Sequence, residues 1–306
     1  MFMAPKKKTN RSATSAFLWR WMLHPITLFA LAGFVVLSGV GATIPGMVLD
    51  LRAQTDYAYP LENLKINTPN DWVPARLPQQ VLQASHLPER VSLLEPQLVR
   101  EIADAFSLHP WVKQVDRVQI TGRRQIVVQV QYRVPIAFIE VGTQLLPIDS
   151  EGVLLPSEDF SVADATRLPH IRNIVSAPPS TPGTPWNDAL VMESLKVVLA
   201  INPRNVVQDH WDRLGLEAVT APRVTLAEEL LPHRLTFELQ SRGGSHIVWG
   251  HPPGGDDLEP TVAQKIGRLD QYLRQYGSFE KPLGPCQIDI RHFEAISLHP
   301  LDQVTR

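Results

Sequence analysis

Apolar residues recur along this chain with two spacings, and each spacing marks a kind of element. Leu98, Ile102 and Phe106 repeat every four positions after Glu95-Pro96, which predicts a helix with proline near its first turn and one buried face. Val262, Ile266, Leu269, Leu273 and Tyr276 hold a longer stripe, and Gly277 follows where a helix needs a left-handed C-cap. Val191, Leu195, Val198 and Leu199 predict a further helix that Asn202-Pro203 stops. Elsewhere the period is two. Val118 and Ile120, then Ile126, Val128, Val130 and Tyr132, alternate on either side of Gly122-Arg123-Arg124, predicting a hairpin with one buried face. Pro135 ends that pairing, and Ile136, Ala137, Phe138 and Ile139 predict a short strand before Gly142. Residues 145–155 predict a second hairpin around Asp149-Ser150-Glu151-Gly152. Strand signals follow at 214–219 and 224–226, and Leu235, Phe237 and Leu239 face Ile247 and Trp249 across Arg242-Gly243-Gly244. The last alternation, through Cys286, Ile288 and Ile290, predicts one C-terminal strand over residues 286–298.

One stretch has no period. Residues 25–49 lack any ionisable side chain; at 1.5 Å per residue they make about 37 Å of helix, enough for a hydrocarbon core of about 30 Å. Lys6, Lys7, Lys8, Arg11 and Arg20 precede this stretch without one acid, while Asp50 and Asp56 follow, so the positive-inside rule predicts a cytoplasmic tail at 1–24 and an exported body. Trp19 and Trp21 stand where indoles anchor at a membrane interface. A cleaved signal peptide would have a shorter apolar core followed closely by a small-residue site, which Thr43-Ile44-Pro45-Gly46 does not supply.

Composition refines this picture. The 306 residues suit two modest units outside the membrane, and the 27 prolines cluster, making residues 176–185 a surface loop. The net charge of −2 hides a basic tail on an acidic body: without the tail's 5 cations, 24 basic residues face 31 acidic ones. That balance offers no footprint for nucleic acid. A single cysteine, Cys286, excludes an internal disulfide and reads as a buried strand residue.

Signatures of catalysis are missing. There is no glycine-rich dinucleotide or phosphate loop, no H-E-x-x-H and no G-x-S-x-G. Ser245 and His246 are adjacent on a strand and so face opposite ways, which denies them a nucleophile and base geometry. Gly254-Gly255-Asp256-Asp257 lacks the alternating carboxylates of a calcium loop. The sequence therefore predicts no catalytic, cofactor-binding or metal-binding residues.

The order of parts resembles the bacterial cell-division FtsQ/DivIB family. The likeness is carried by His109-Pro110-Trp111-Val112 with Val115 and Val118, and by Tyr132-Arg133-Val134-Pro135-Ile136-Ala137, similar to the family's Y-x-V-P-I-A stretch. Ile148-Asp149-Ser150-Glu151-Gly152 is similar to the turn opening the family's β domain, and Ile288-Asp289-Ile290-Arg291 to its late V-D-L-R strand. The chain departs from the family before Pro96, at the proline loop, and at His292-Phe293-Glu294-Ala295. The resemblance implies an α+β fold: a transmembrane helix at 25–49, a connector at 50–60, a POTRA-like domain at 61–141 with Trp111, Tyr132 and Pro135 as structural residues, and a mixed β-sheet domain with helices at 142–306. It also implies a non-enzymatic scaffold of the inner membrane, expected at the septum, that links septal peptidoglycan synthases to single-span partners of the FtsB and FtsL type. The final strands would receive FtsB by strand addition, with Ile290, Arg291, His292, Phe293, Ile296 and Leu298 as the contact residues. Two other classes remain open, a membrane-anchored sensor or transport-associated POTRA protein, and an extracytoplasmic hydrolase with an unfamiliar site.

Overall fold

The computed structural model describes residues 29, 32–39, 58–122, 124–203, 210–224, 230–254, 258–293 and 295–301. Residues 32–39 are helical with exposed side chains, but most of the predicted span, the tail at 1–24 and residues 50–57 lie outside the described residues. Among the described residues no helix is long and apolar enough to cross a membrane.

Two hydrophobic clusters organise the rest. The first is built on a three-stranded sheet of order β2-β5-β4, with β2 at Lys65–Ile66, β4 at Val112–Ile120 and β5 at Ile126–Tyr132. A ribbon of β1 (Ala58–Pro60) and β3 (Arg90–Ser92) accompanies it. Helices α1 (Leu77–Ala84) and α2 (Leu98–Ser107) contribute Leu77, Val81, Leu98, Ile102 and Phe106 to a core shared with Trp111, Ile126, Val128 and Val130. Burying each such side chain stabilises by about 1.5 to 3 kcal/mol. Residues 58–60, read from the sequence as connector, belong to this unit because Tyr59 is buried and pairs with Val91.

The second cluster lies under an eight-stranded sheet of order β13-β12-β11-β10-β9-β8-β6-β7. Its strands are β6 (Pro135–Val141), β7 (Gln144–Asp149), β8 (His170–Arg172), β9 (Leu216–Thr220), β10 (Phe237–Ser241), β11 (His246–Gly250), β12 (Cys286–Asp289) and β13 (Ser297–Pro300). Two parallel returns, β8 to β9 and β11 to β12, need crossovers. Helix α4 (Ala189–Ile201) and helix α6 (Val262–Tyr276) supply them, and both bury residues in this cluster. Short helices α3 (Val162–Ala165) and α5 (His210–Arg213) sit in the connections. The predicted stripe of α6 is present, opened by a Thr261 and Gln264 capping box and closed by Gly277 at φ 84°, a conformation open to glycine at little cost.

Three sequence expectations change. The strand at 136–139 belongs to the large sheet rather than to the first unit: β6 pairs with β7 and β8, and Ile136, Ala137 and Ile139 pack in the second cluster. Pro135 starts β6 opposite Asp149, so the chain changes sheets between Tyr132 and Pro135. The C-terminal alternation is two strands, because the chain leaves the sheet after Asp289 and returns as β13 at Ser297. The predicted strand at 224–226 falls mainly outside the described residues. The proline loop at 176–185, by contrast, forms no helix or strand, and it is tied down: Gly183 donates to Leu154 O and Leu154 to Thr184 O.

The clusters meet in a seam. Leu155 and half-buried Phe160 come from the second unit yet pack in the first cluster. Phe160 stacks on Trp111 with centroids 5.6 Å apart and meets Phe138 of β6 edge-on at 5.4 Å. Asp159 accepts from Trp111 Nε1 at 2.8 Å and from Arg76 at 2.6 Å. Arg133 reaches Asp149 at 2.7 Å and Glu151 at 3.1 Å, and Lys113 reaches Glu151 at 2.6 Å. Gly183, at φ 87°, lies so close that an added Cβ would stand 3.3 Å from Pro110 Cα.

Candidate partner-binding edge

Strand β12 is held from three sides. Cys286, Ile288 and Ile290 are buried in the second cluster. At its start, Ser245 Oγ donates to Phe279 O at 2.9 Å and accepts from Cys286 N at 3.3 Å. At its end, Ile290 N donates to Val248 O of β11 at 3.5 Å. Since Ile290 turns its N–H to β11, the alternation of backbone directions turns Gln287 and Asp289 toward β13, where they pair with His299 and Ser297. Leu298, between those two, therefore points its N–H and C=O outward. No strand pairs with that outer side among the described residues, so β13 is a free edge of the sheet.

Two environments flank the edge. On the helix side, a groove of about 270 Å³ has mixed walls: Tyr272, Tyr276, Ile296 and Leu298 stand beside Arg268, Gln271 and Gln275. Burial pushes the Tyr272 phenol up to about 12, and the protonated hydroxyl donates to Lys281 O at 2.6 Å. On the other face lies a depression of about 700 Å³ lined by polar and charged groups including Glu238, Gln287, Asp289, Arg291 and His299. An added strand would thus set alternate side chains against a mixed wall that carries two tyrosine rings and against a charged one.

The turn between β12 and β13 is built by two side-chain clamps. Asp289 Oδ1 accepts from Arg291 N at 3.0 Å, and its carboxylate takes the Arg291 guanidinium at 2.7 Å. Burial alone would raise the Asp289 carboxyl, but the Arg291 hydrogen bonds and charge outweigh it and hold the group below the usual aspartate range. From α6, Arg268 donates to Ile290 O at 2.9 Å and also to His292 O and Phe293 O.

The residues expected to meet a partner are therefore unequal. Ile290 is fully buried and holds the strand down, so it makes no outside contact. Arg291 spends its fork on Asp289. His292 and Phe293 are exposed on the turn, Phe293 at 57%. Ile296 and Leu298 are half-buried against the core and line the groove. Trp111 is wholly buried. Tyr132 donates its hydroxyl to Asn67 O at 2.9 Å, and burial raises its pKa. Arg268, His299 and the two tyrosines were not singled out from the sequence. The tyrosines had a signal, since Tyr276 belongs to the α6 stripe; Arg268 had none, because it looks like any solvated helix residue.

Little in the described residues suggests chemistry. Ser245 is buried and bonded to Phe279 O, while His246 faces Glu238 at 3.3 Å on the opposite side of the strand. Among the described residues no three His, Cys, Asp or Glu side chains group as metal ligands. No protein-family model matches the chain, and no curated protein matches it.

Proposed function

We propose that this chain is a membrane-anchored, non-enzymatic scaffold of the bacterial division complex, of the FtsQ/DivIB kind, and that it receives a small FtsB-type partner by strand addition at β13. The observation that supports this most is the outer side of β13, unpaired among the described residues, with the backbone of Leu298 directed outward beside a groove that holds Tyr272, Tyr276 and Ile296. The uncharged residues 25–49 behind a basic tail support the anchor and an exported body. In this reading the first unit and the span recruit the protein to the septum at the inner membrane, and the far edge of the large sheet gathers partners that connect to septal peptidoglycan synthases.

The test is a fluorescent fusion in the host together with co-purification from solubilised membranes. A septal signal, with the host's FtsB-type protein retained by the wild type and lost from Leu298→Pro, is expected. A uniform membrane signal with no division protein retained would replace the scaffold with a sensor or transport role. Alkaline phosphatase fused after Arg306 should be active, and an inactive fusion overturns the exported topology.

A further inference from the structure

We propose that Arg268 is the positioning residue of this edge: one guanidinium on α6 decides where β12 ends, where β13 begins and how Phe293 is displayed between them. The inference rests on the reading of β13 as a strand acceptor. Nothing in the apolar alternation requires the chain to stop at Asp289, since Cys286, Ile288 and Ile290 keep their period through that point. A continued strand would send the carbonyls of His292 and Phe293 to opposite sides, as successive residues of a pleated strand must. Instead both converge on Arg268, with Ile290 O beside them at 2.9 Å. Three carbonyls gathered on one cation cannot belong to an extended run, so the guanidinium defines the break.

The chemistry of the group suits the task. A guanidinium offers five N–H donors in a fixed plane, so carbonyls that bind it have their mutual positions set; a lysine ammonium on a flexible stem would attract them without fixing them. Arg268 stands on the longest helix of the second unit, whose buried face includes Leu269 and Tyr272, and so acts from a rigid base. The Asp289 and Arg291 clamp works from the strand side and leaves the loop only a short path back to Ser297. With its carbonyl bonded to Arg268, Phe293 carries an exposed apolar ring on the turn that leads into β13. A strand-donating partner would find a pre-set edge and an apolar contact at its entrance, and would lose less ordering entropy on binding.

The experiment uses the full chain in detergent, with the host's purified FtsB-type protein as the binding probe, and reads hydrogen exchange over residues 286–301 in parallel. Arg268→Ala should speed exchange in β13 and weaken binding, each by about tenfold, while exchange in β6 and α4 stays unchanged. Arg268→Lys, which keeps the charge without the fork, should recover only part of both. Wild-type exchange and wild-type binding in Arg268→Ala overturn the proposal. So does faster exchange with intact binding, which would make the role structural only, and so does weaker binding with unchanged exchange, which would make Arg268 a contact residue. Leu298→Pro separates the two layers: if it binds normally, the edge reading itself fails, whereas lost binding there beside normal binding in Arg268→Ala overturns only the positioning role.

Discussion

At the β6 and β7 end of the large sheet, side chains from both units are tied together by an indole, two guanidiniums and an aromatic stack. At the β13 end, outward backbone groups meet nothing among the described residues, and the turn behind them is held by Arg268 and by the Asp289 and Arg291 pair. The seam buries its aromatic anchors and closes them with ion pairs such as Arg133 with Asp149, whose side chains are 14% and 3% exposed. The edge keeps its anchors half in water. Groups that must hold a fold together are desolvated and paired, while groups that await a partner stay solvated until it arrives, because an unpaired polar group costs free energy only once water is removed.

Four changes would break or sharpen that contrast. The largest is Trp111→Ala, which empties the middle of the seam and leaves Asp159 without its indole donor; it should destabilise by about 3 to 5 kcal/mol, read as a lower unfolding midpoint. An unchanged midpoint would show that the stack with Phe160 carries no weight. Arg133→Ala should cost about 2 kcal/mol, less because Asp149 keeps the N–H groups of Glu151 and Val153 at 2.8 and 2.9 Å. Leu298→Pro should cost only about 1 kcal/mol of stability, since proline is tolerated in an edge strand whose N–H faces solvent. Partner binding should nonetheless disappear, and a large loss of stability would show that this N–H bonds inside the sheet. Asp289→Asn should have the smallest effect, about 1 kcal/mol or less at neutral pH. The folded carboxyl lies below the unfolded value of about 3.9, so its contribution is complete above that value and fades as the pH falls through the lower folded one. Denaturation at pH 7 and at pH 3 should show the difference between variant and wild type shrinking in acid.

How far these regions could be read in advance depends on how local their causes are. Helix α6 was legible because stripe, capping box and Gly277 all lie within it. Helix α1 was not, because Pro78 and the prolines around it mask a stripe of only Leu77 and Val81. The strand at 136–139 was legible as a strand but not as a member of the large sheet, since alternation reports a buried face and not the neighbour that buries it. The break after Asp289 was hidden for a related reason: its cause is Arg268, more than twenty positions earlier in the chain. The seam showed only its turn at Asp149-Ser150-Glu151-Gly152, because the meaning of Asp159 and Phe160 comes from Trp111, 48 positions away for the hydrogen bond.

The order of the large sheet also bears on how it assembles. From the β6 and β7 pair its strands are added in chain order, β8, β9, β10, β11, β12 and finally β13. As the chain emerges, each new strand can therefore dock on an edge that already exists, without reopening an earlier pairing. The β13 edge is completed only after every other strand of its sheet has emerged, so on the proposed strand-addition reading a half-folded chain would capture no partner. Completion of folding would itself be the signal that the site is open.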